Sequence, residues 1–495
     1  MITVLQVSAE YLRAAEASVP ADQSGTPQST VEQLQNTVTA LQDEVAFLKA
    51  QMAQMQAAMA ANNESARGTG HDLVDLTPQG SAGDPDAALP QEASSKLVET
   101  PKVASLSAED RGILDYLKTS TVNVSVDGYY AYNFNQPVGR VNLLRAYDVS
   151  SNAFSLNQAA VVFERAVDPH AGRRWGTRLD LQYGQATATL QGNPSNEHRP
   201  DIYRNIFQAY GTYVFPVGSG VNVDFGKWAS SLGYEGNYTQ FQMNYSRSYW
   251  FYFLPFYHEG FRVKYQVNSK LGLQYWVVNG TNQTEPTNGF KDEMFGLVIT
   301  PNKKVAWTTN YYFGQENPNV TPAVGCGPVP VQPGLCFTQI TPAPNGKLHI
   351  IDSYATWQAT PRWTVGLEGD YVVQRVWANA APGKDSAPAH TWGGAGYAQY
   401  QFTPKQWVAA RAEYLQDYGS YFTGGLFSGV TEALKEVTFT YEYNVTDGLQ
   451  VKTEWRRDWS NVPIFLTSTQ NIYSTDQNTA TLGLIWWFGR KQGAW

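Results

Sequence analysis

From Val122 to Asn135 the chain alternates with a period of two. Asn123, Ser125, Asp127, Tyr129, Ala131, Asn133 and Asn135 occupy one phase, and Val122, Val124, Val126, Gly128, Tyr130, Tyr132 and Phe134 the other. A strand sends successive side chains to opposite faces, so one face here is apolar and aromatic and the other polar and charged. The pattern recurs from about Thr121 to Phe488. Leu179, Leu181 and Tyr183 alternate with Arg178, Asp180 and Gln182, and Val221, Val223 and Phe225 with Asn222 and Asp224. Phe261, Val263 and Tyr265 face away from Arg262 and Lys264; Val365, Leu367 and Tyr371 face away from Thr364, Glu368 and Asp370. Val437, Phe439 and Tyr441 alternate with Glu436, Thr438 and Glu442, and Leu449, Val451 and Trp455 with Lys452, Glu454 and Arg456. Charges that repeatedly oppose an apolar face predict a closed barrel with lipid outside and water inside.

The connections agree. Short turns are expected at 216–220, 268–270, 301–304, 360–362, 403–406 and 445–448, and long polar, Gly/Pro-rich loops at 135–153, 186–203, 229–256, 315–347, 377–391, 417–432 and 459–475. Short and long connections in turn belong to an antiparallel up-and-down transmembrane barrel with periplasmic turns and outer loops. The count is about 16 strands with both ends on the turn side; the segments 154–166, 271–279, 391–402 and 407–417 have mixed faces. Aromatics near segment ends, Trp175, Trp228, Trp307, Trp377, Trp392, Trp407, Trp455, Trp459, Trp486 and Trp487, suit two membrane–water interfaces. The chain is 16% charged and has no apolar run near the roughly 18 residues a membrane helix needs, which excludes a helical membrane protein. A large soluble β-protein is the competing fold.

Ahead of the barrel the organisation changes. Residues 1–28 lack a basic start and a sustained apolar stretch; Ala15-Glu16-Ala17 has only the small-x-small form of a cleavage site, so an export signal is not legible there. Val31, Leu34, Val38, Leu41, Val45, Leu48, Met52, Met55 and Met59 form an a/d seam over residues 29–60, with Ser29 and Glu32 as a capping box. This predicts a coiled coil ~48 Å long at 1.5 Å per residue, and therefore a homo-oligomer. A single amphipathic helix packed on its own domain is the alternative. Residues 61–106 read as a flexible linker, which would hold the coiled coil in the periplasm within reach of the cell wall. Residues 107–118 predict a short helix, capped by Ser107 and with Ile113, Leu114 and Leu117 on one face; it serves either as a lead-in or as a plug for the barrel mouth. Residues 489–495 are left as a tail.

Val126-Asp127-Gly128-Tyr129-Tyr130, Asn133-Phe134-Asn135-Gln136-Pro137, Arg140 to Asp148, Phe154 to Ala159, Phe225-Gly226-Lys227-Trp228 and Trp486-Trp487-Phe488-Gly489 resemble the OmpL-like β-barrel porins of bacterial outer membranes, over about 107–495. The resemblance implies an outer-membrane diffusion channel without naming its solute. It favours a trimer, although Val at a and Leu at d lean towards two strands. Where many barrels end on Phe, this chain continues past Phe488 to Trp495.

For chemistry, Cys326 and Cys336 lie in the loop 315–347 and read as a disulfide worth about 3 kcal/mol of unfolded-state entropy. The six histidines are scattered, with no HExxH or GxSxG, so no cofactor, metal or catalytic set is assigned; an outer-membrane barrel hydrolase is the enzyme alternative. Pore-lining candidates are Asp127, Arg178, Asp180, Asp224, Arg262, Lys264, Glu368, Asp370, Arg411, Glu413, Glu436, Glu442, Lys452, Glu454 and Arg456. Because their signs interleave, they predict a weakly ion-selective pore for small polar solutes rather than a strongly anion-selective one. Mutual neutralisation of neighbouring charges is the plainer reading of any one of them. The loop 229–256, with Tyr234, Glu235, Tyr238, Phe241, Tyr245 and Arg247, is the expected constriction, and its aromatics suit stacking on sugar rings. A net charge of −8 makes nucleic acid an unfavourable partner. A third class is structural: a barrel anchor tethering the envelope to the cell wall.

Overall fold

Sixteen strands close into one antiparallel barrel. The computed structural model describes residues 108–190, 197, 200–317, 320–322, 337–339, 346–377, 386–419, 421–423 and 431–489. The coiled-coil seam, the linker, Ser107, Cys326, Cys336 and residues 490–495 lie outside them.

The first half of the wall is β1 Thr121–Asn133, β2 Ala153–Arg165, β3 Trp175–Tyr183, β4 Ile206–Phe215, β5 Val221–Ala229, β6 Tyr257–Asn268, β7 Leu271–Val278, β8 Asp292–Asn302 and β9 Val305–Gln315. A small outer hairpin follows, β10 Val320–Pro322 with β11 Phe337–Gln339. The wall resumes with β12 Lys347–Gln358, β13 Trp363–Trp377, β14 Ser386–Thr403, β15 Gln406–Tyr418, β16 Glu432–Thr446 and β17 Leu449–Ser460. After a second small hairpin, β18 Phe465–Leu466 and β19 Tyr473–Ser474, the strand β20 Asp476–Gly489 pairs with both β17 and β1 and completes the closure. The four mixed-face segments are all wall strands. Two connections escaped the sequence reading: the turn 166–174, built on Asp168 accepting from the Ala171 N–H, and the loop 279–291.

The molecule is apolar outside and polar inside. In β1 the phase Thr121, Asn123, Ser125, Asp127 is buried while Val122 is exposed; in β16 Glu436, Thr438 and Thr440 are buried while Phe439 and Tyr441 are exposed. Outward rings pair across strands, as Phe225 with Phe261 at 4.7 Å between centroids and Phe439 with Trp455 at 6.0 Å. Such pairs stabilise a sheet on a face that meets lipid rather than water. Trp175, Trp307, Trp392, Trp455 and Trp486 are exposed as expected. Trp228 is instead fully buried, Trp407 borders an internal cavity, and Trp487 packs towards Tyr129 and Tyr245. These three share the phase of the inward charges, and strand phase overrides their suitability for an interface.

The helix Ala108–Lys118 is not a plug. Tyr116 stacks on the outward rings of Phe163 and Trp175, with the Arg165 guanidinium over Tyr116 and Trp175, so the helix docks on the outer rim beside β2 and β3. Ile113, Leu114 and Leu117 stay exposed. Elsewhere on the wall Gly448 carries the tight β16–β17 turn at φ 83°, where a Cβ would stand 2.3 Å from the Trp487 carbonyl oxygen.

Candidate functional site: a loop held inside the barrel

The connection 230–256, between β5 and β6, folds into the lumen. Ser248 caps a helical turn, Tyr249–Phe253, by accepting from the Phe251 N–H at 2.9 Å. Tyr249, Trp250 and Phe253 then pack with Trp228, Leu415 and Phe422 in the largest apolar cluster of the interior. Arg247 organises the rest of the loop from within: its guanidinium donates to the carbonyls of Gly236, Asn237 and Tyr245 and lies over the Tyr147 ring.

The barrel wall grips this loop with its charges. Glu454 on β17 accepts from the Tyr245 and Ser246 N–H groups at 2.7 and 3.0 Å, and Glu413 on β15 from those of Tyr249 and Trp250 at 2.8 and 2.9 Å. Asp352 on β12 accepts from the Gly233 N–H and Glu368 on β13 from the Tyr234 N–H. Hydroxyls complete the set, Tyr238 to Asp180 on β3, Tyr245 and Thr239 to Asp127 on β1, and Tyr249 to Asp458 on β17. Wall cations take the loop's carbonyls in exchange. Arg411 donates to Ser246 O and pairs with Glu235 at 2.8 Å, Lys452 donates to Thr239 O, and Arg456 to Arg247 O. Each bond to a charged partner in so dry a place is among the stronger kinds. Burial, with Asp180 and Asp127 beside them, raises the Tyr238 and Tyr245 hydroxyls well above their ordinary range, so both remain neutral donors.

All the pore-lining candidates face inward, but most do not line water. Arg178 is engaged by Asp180, Arg262 by Asp224, and Lys452 by Glu442 as well as by the loop. Arg411 bridges Glu436 and Glu235, and Arg456 binds Asp458. Of these cations, Lys264 is the accessible one: it pairs with Asp224 at 3.0 Å while 44% of its side chain stays exposed. The reading of these charges as a water-facing set is corrected accordingly; burying an ion demands a partner, and opposite charges on the wall supply it together with the loop's Glu235 and backbone. Among the constriction candidates Tyr234, Glu235, Tyr238, Tyr245 and Arg247 all stand in the lumen. Phe241, 40% exposed, reaches a cavity of about 390 Å³ shared with Tyr234, Tyr354, Thr356, Gln399, Trp407 and Glu442. Thr356, Gln399 and Trp407 lie near the short-turn ends of their strands, which sets this cavity at the turn side.

Sequence reasoning missed Arg145, Asp148, Asp352 and Asp458. Arg145, fully buried in the loop between β1 and β2, pairs with its neighbour Asp148 and with Asp458 at 2.6 Å. Asp458 was within reach of the sequence, being two residues beyond Arg456 in the same phase. Asp352, Glu368 and Asp370 bring three carboxylates within 4.8 Å. His258 meets Ser230 Oγ at 3.1 Å, but its other ring nitrogen faces the Gly280 carbonyl and the imidazole is sealed between Trp276 and Tyr312. That arrangement packs; it does not present a nucleophile to solvent.

A closed sixteen-stranded barrel, apolar outside, charged inside and holding a folded-in loop, is of the outer-membrane porin class. Residues 119–488 match the family described as "Putative beta-barrel porin-2, OmpL-like", and the chain belongs to that family. No curated protein matches it. Among solved structures it is similar to the outer membrane channel DcaP of Acinetobacter baumannii, at 10% identity and a TM-score of 0.46, over 74% of this chain and 97% of that one. It is similar also to OprB of Pseudomonas putida, at 12% identity and 0.46, over 77% and 96%. The trimer form of the outer membrane protein OmpT of Vibrio cholerae aligns at 10% identity and 0.46, over 75% and 99%. At such distances these likenesses say nothing of solute or assembly.

Proposed function

We propose that this porin passes small polar solutes by passive diffusion through a bore narrowed by the loop 230–256, with weak ion selectivity. The observation that carries the reading is the ring of wall-to-loop bonds, which fixes the loop across the lumen from β1 and β3 round to β12, β13, β15 and β17. The bore opens near the turn end of β6, where Lys264 is accessible beside Asp224, one charge of each sign, while Trp228 and Trp276 are sealed farther along that wall. On the turn side the rings of Tyr234, Phe241, Tyr354 and Trp407 around a polar cavity suit the apolar face of a sugar, and oligosaccharide is the more specific version of the reading. Planar-bilayer recording of the purified protein tests it: discrete channels with a small reversal potential in a salt gradient are expected, and a silent bilayer overturns it.

The same density of loop-to-wall bonds favours a second reading, a barrel serving as an anchor while the segment 29–60 tethers the envelope to the cell wall. We infer a homo-oligomer held by that segment, a trimer first; crosslinking that finds only monomer at every concentration removes it.

A further inference from the structure

We propose that Asp352, Glu368 and Asp370 form a binding site for a hard divalent cation, calcium first, on the inner wall between β12 and β13. Asp352 and Asp370 stand directly opposite each other across this strand pair, and Glu368 lies two residues along β13 on the same face. Like charges opposite each other destabilise a sheet, and burial removes the water that would screen them. Asp292 and Asp417 rest on neutral donors, whereas Asp224 is given Arg262 and Lys264, Asp458 is given Arg145 and Arg456, and Glu436 is given Arg411. Among the described residues no Lys, Arg or His forms an ion pair with any of the trio, and the strands alongside present Asn310, Ala395 and Gly393 beside them. Asp352 and Glu368 are turned by neutral donors, Asn310 and Gly233 on the first, Tyr234 N–H and the Tyr397 hydroxyl on the second.

Asp370 supplies the independent sign. It is 6% exposed, and neither of its oxygens meets a donor among the described residues. A carboxylate so placed and aimed at two others lacks a positive charge at the centre of the three. Oxygen ligands with no nitrogen or sulfur select calcium or magnesium over zinc or copper, and calcium is the more tolerant of irregular geometry. Asp352 and Glu368 also hold the Gly233 and Tyr234 N–H groups, so a cation here pins the root of the lumen loop to the wall.

Terbium(III), a luminescent stand-in for calcium, tests this on the full chain in detergent after EDTA treatment. Tyr397 donates to Glu368 and lies 4.4 Å from the Tyr234 ring, near enough to sensitise the ion. The expected result is a saturable signal with one equivalent per chain, displaced by calcium, and at least tenfold weaker binding in Asp370→Asn and in Glu368→Gln. Folding of each variant is read from its heat-modifiable migration. Should neither fold, calcium must raise the unfolding temperature of the wild type relative to EDTA. No saturable signal, no thermal shift, or folded variants that bind as tightly as the wild type would each overturn the site; a proton shared between Asp352 and Asp370 would then account for the trio. Because binding is read without conductance, a silent barrel that binds calcium leaves the site standing and removes only the channel.

Discussion

Two lysines at similar depth, Lys264 on β6 and Lys452 on β17, show how unlike the two sides of the lumen are. Lys264 sits four residues from the turn end of its strand and keeps 44% of its side chain exposed beside Asp224. Lys452, three residues from its own turn end, is sealed against Glu442 and the carbonyls of Thr239 and Gln242. Strand pattern alone makes them equivalent. What separates them is the loop, whose Thr239 and Gln242 carbonyls cover Lys452 and leave Lys264 open at the turn end of β6, while Trp228 and Trp276 farther along the same wall are sealed. The wall at Lys452 therefore acts as a clamp, and the opening beside Lys264 is the passage in the function proposed above.

Removing residues 234–246 should break the difference most completely. Single-channel conductance is expected to rise several-fold, and Lys452 to become open to a water-soluble amine reagent as Lys264 already is. Next, Glu454→Ala leaves the Tyr245 and Ser246 N–H groups buried without an acceptor. A loss of about 3–5 kcal/mol is expected, read by urea unfolding in liposomes, because one partner of a buried charged set is removed. Phe439→Arg, on the lipid face at the middle of β16, should cost about 2–4 kcal/mol in the same assay without altering conductance. Lys264→Glu should have the smallest effect on folding, yet it should move the reversal potential towards cations. If Lys452→Met moved it as far, the division into clamp and passage would be wrong.

Most of the barrel was legible in the sequence, and for a simple reason. Lipid on one side and polar contents on the other force period-two alternation, so Phe439 and Thr438 announce their faces from sequence. The turns at 268–270 and 445–448 were equally plain from Asn, Asp and Gly. Where the alternation is broken the reading failed: Ile350 and Ile351 are adjacent and apolar, which hid the phase of Asp352. The turn 166–174 was lost within a charged run, Arg165 to Arg174, although Asp168-Pro169 and Gly172 marked it. The inward position of the loop was anticipated, whereas its attachments were not. Glu454 and Glu413 grip backbone N–H groups more than 160 residues away in the chain, and such pairing leaves no periodicity to find.

Charged stripes turned to an enclosed interior, and greasy stripes turned to acyl chains, are the physical basis of the whole molecule. Nitroxide scanning of positions 437–442 in a reconstituted bilayer tests this most directly, by comparing collisions with oxygen and with a water-soluble nickel chelate. Oxygen maxima are expected at Val437, Phe439 and Tyr441, and minima at Thr438, Thr440 and Glu442, which share the inward phase of Glu436. Equal access of the chelate to every position, or an oxygen profile with no period of two, would contradict it.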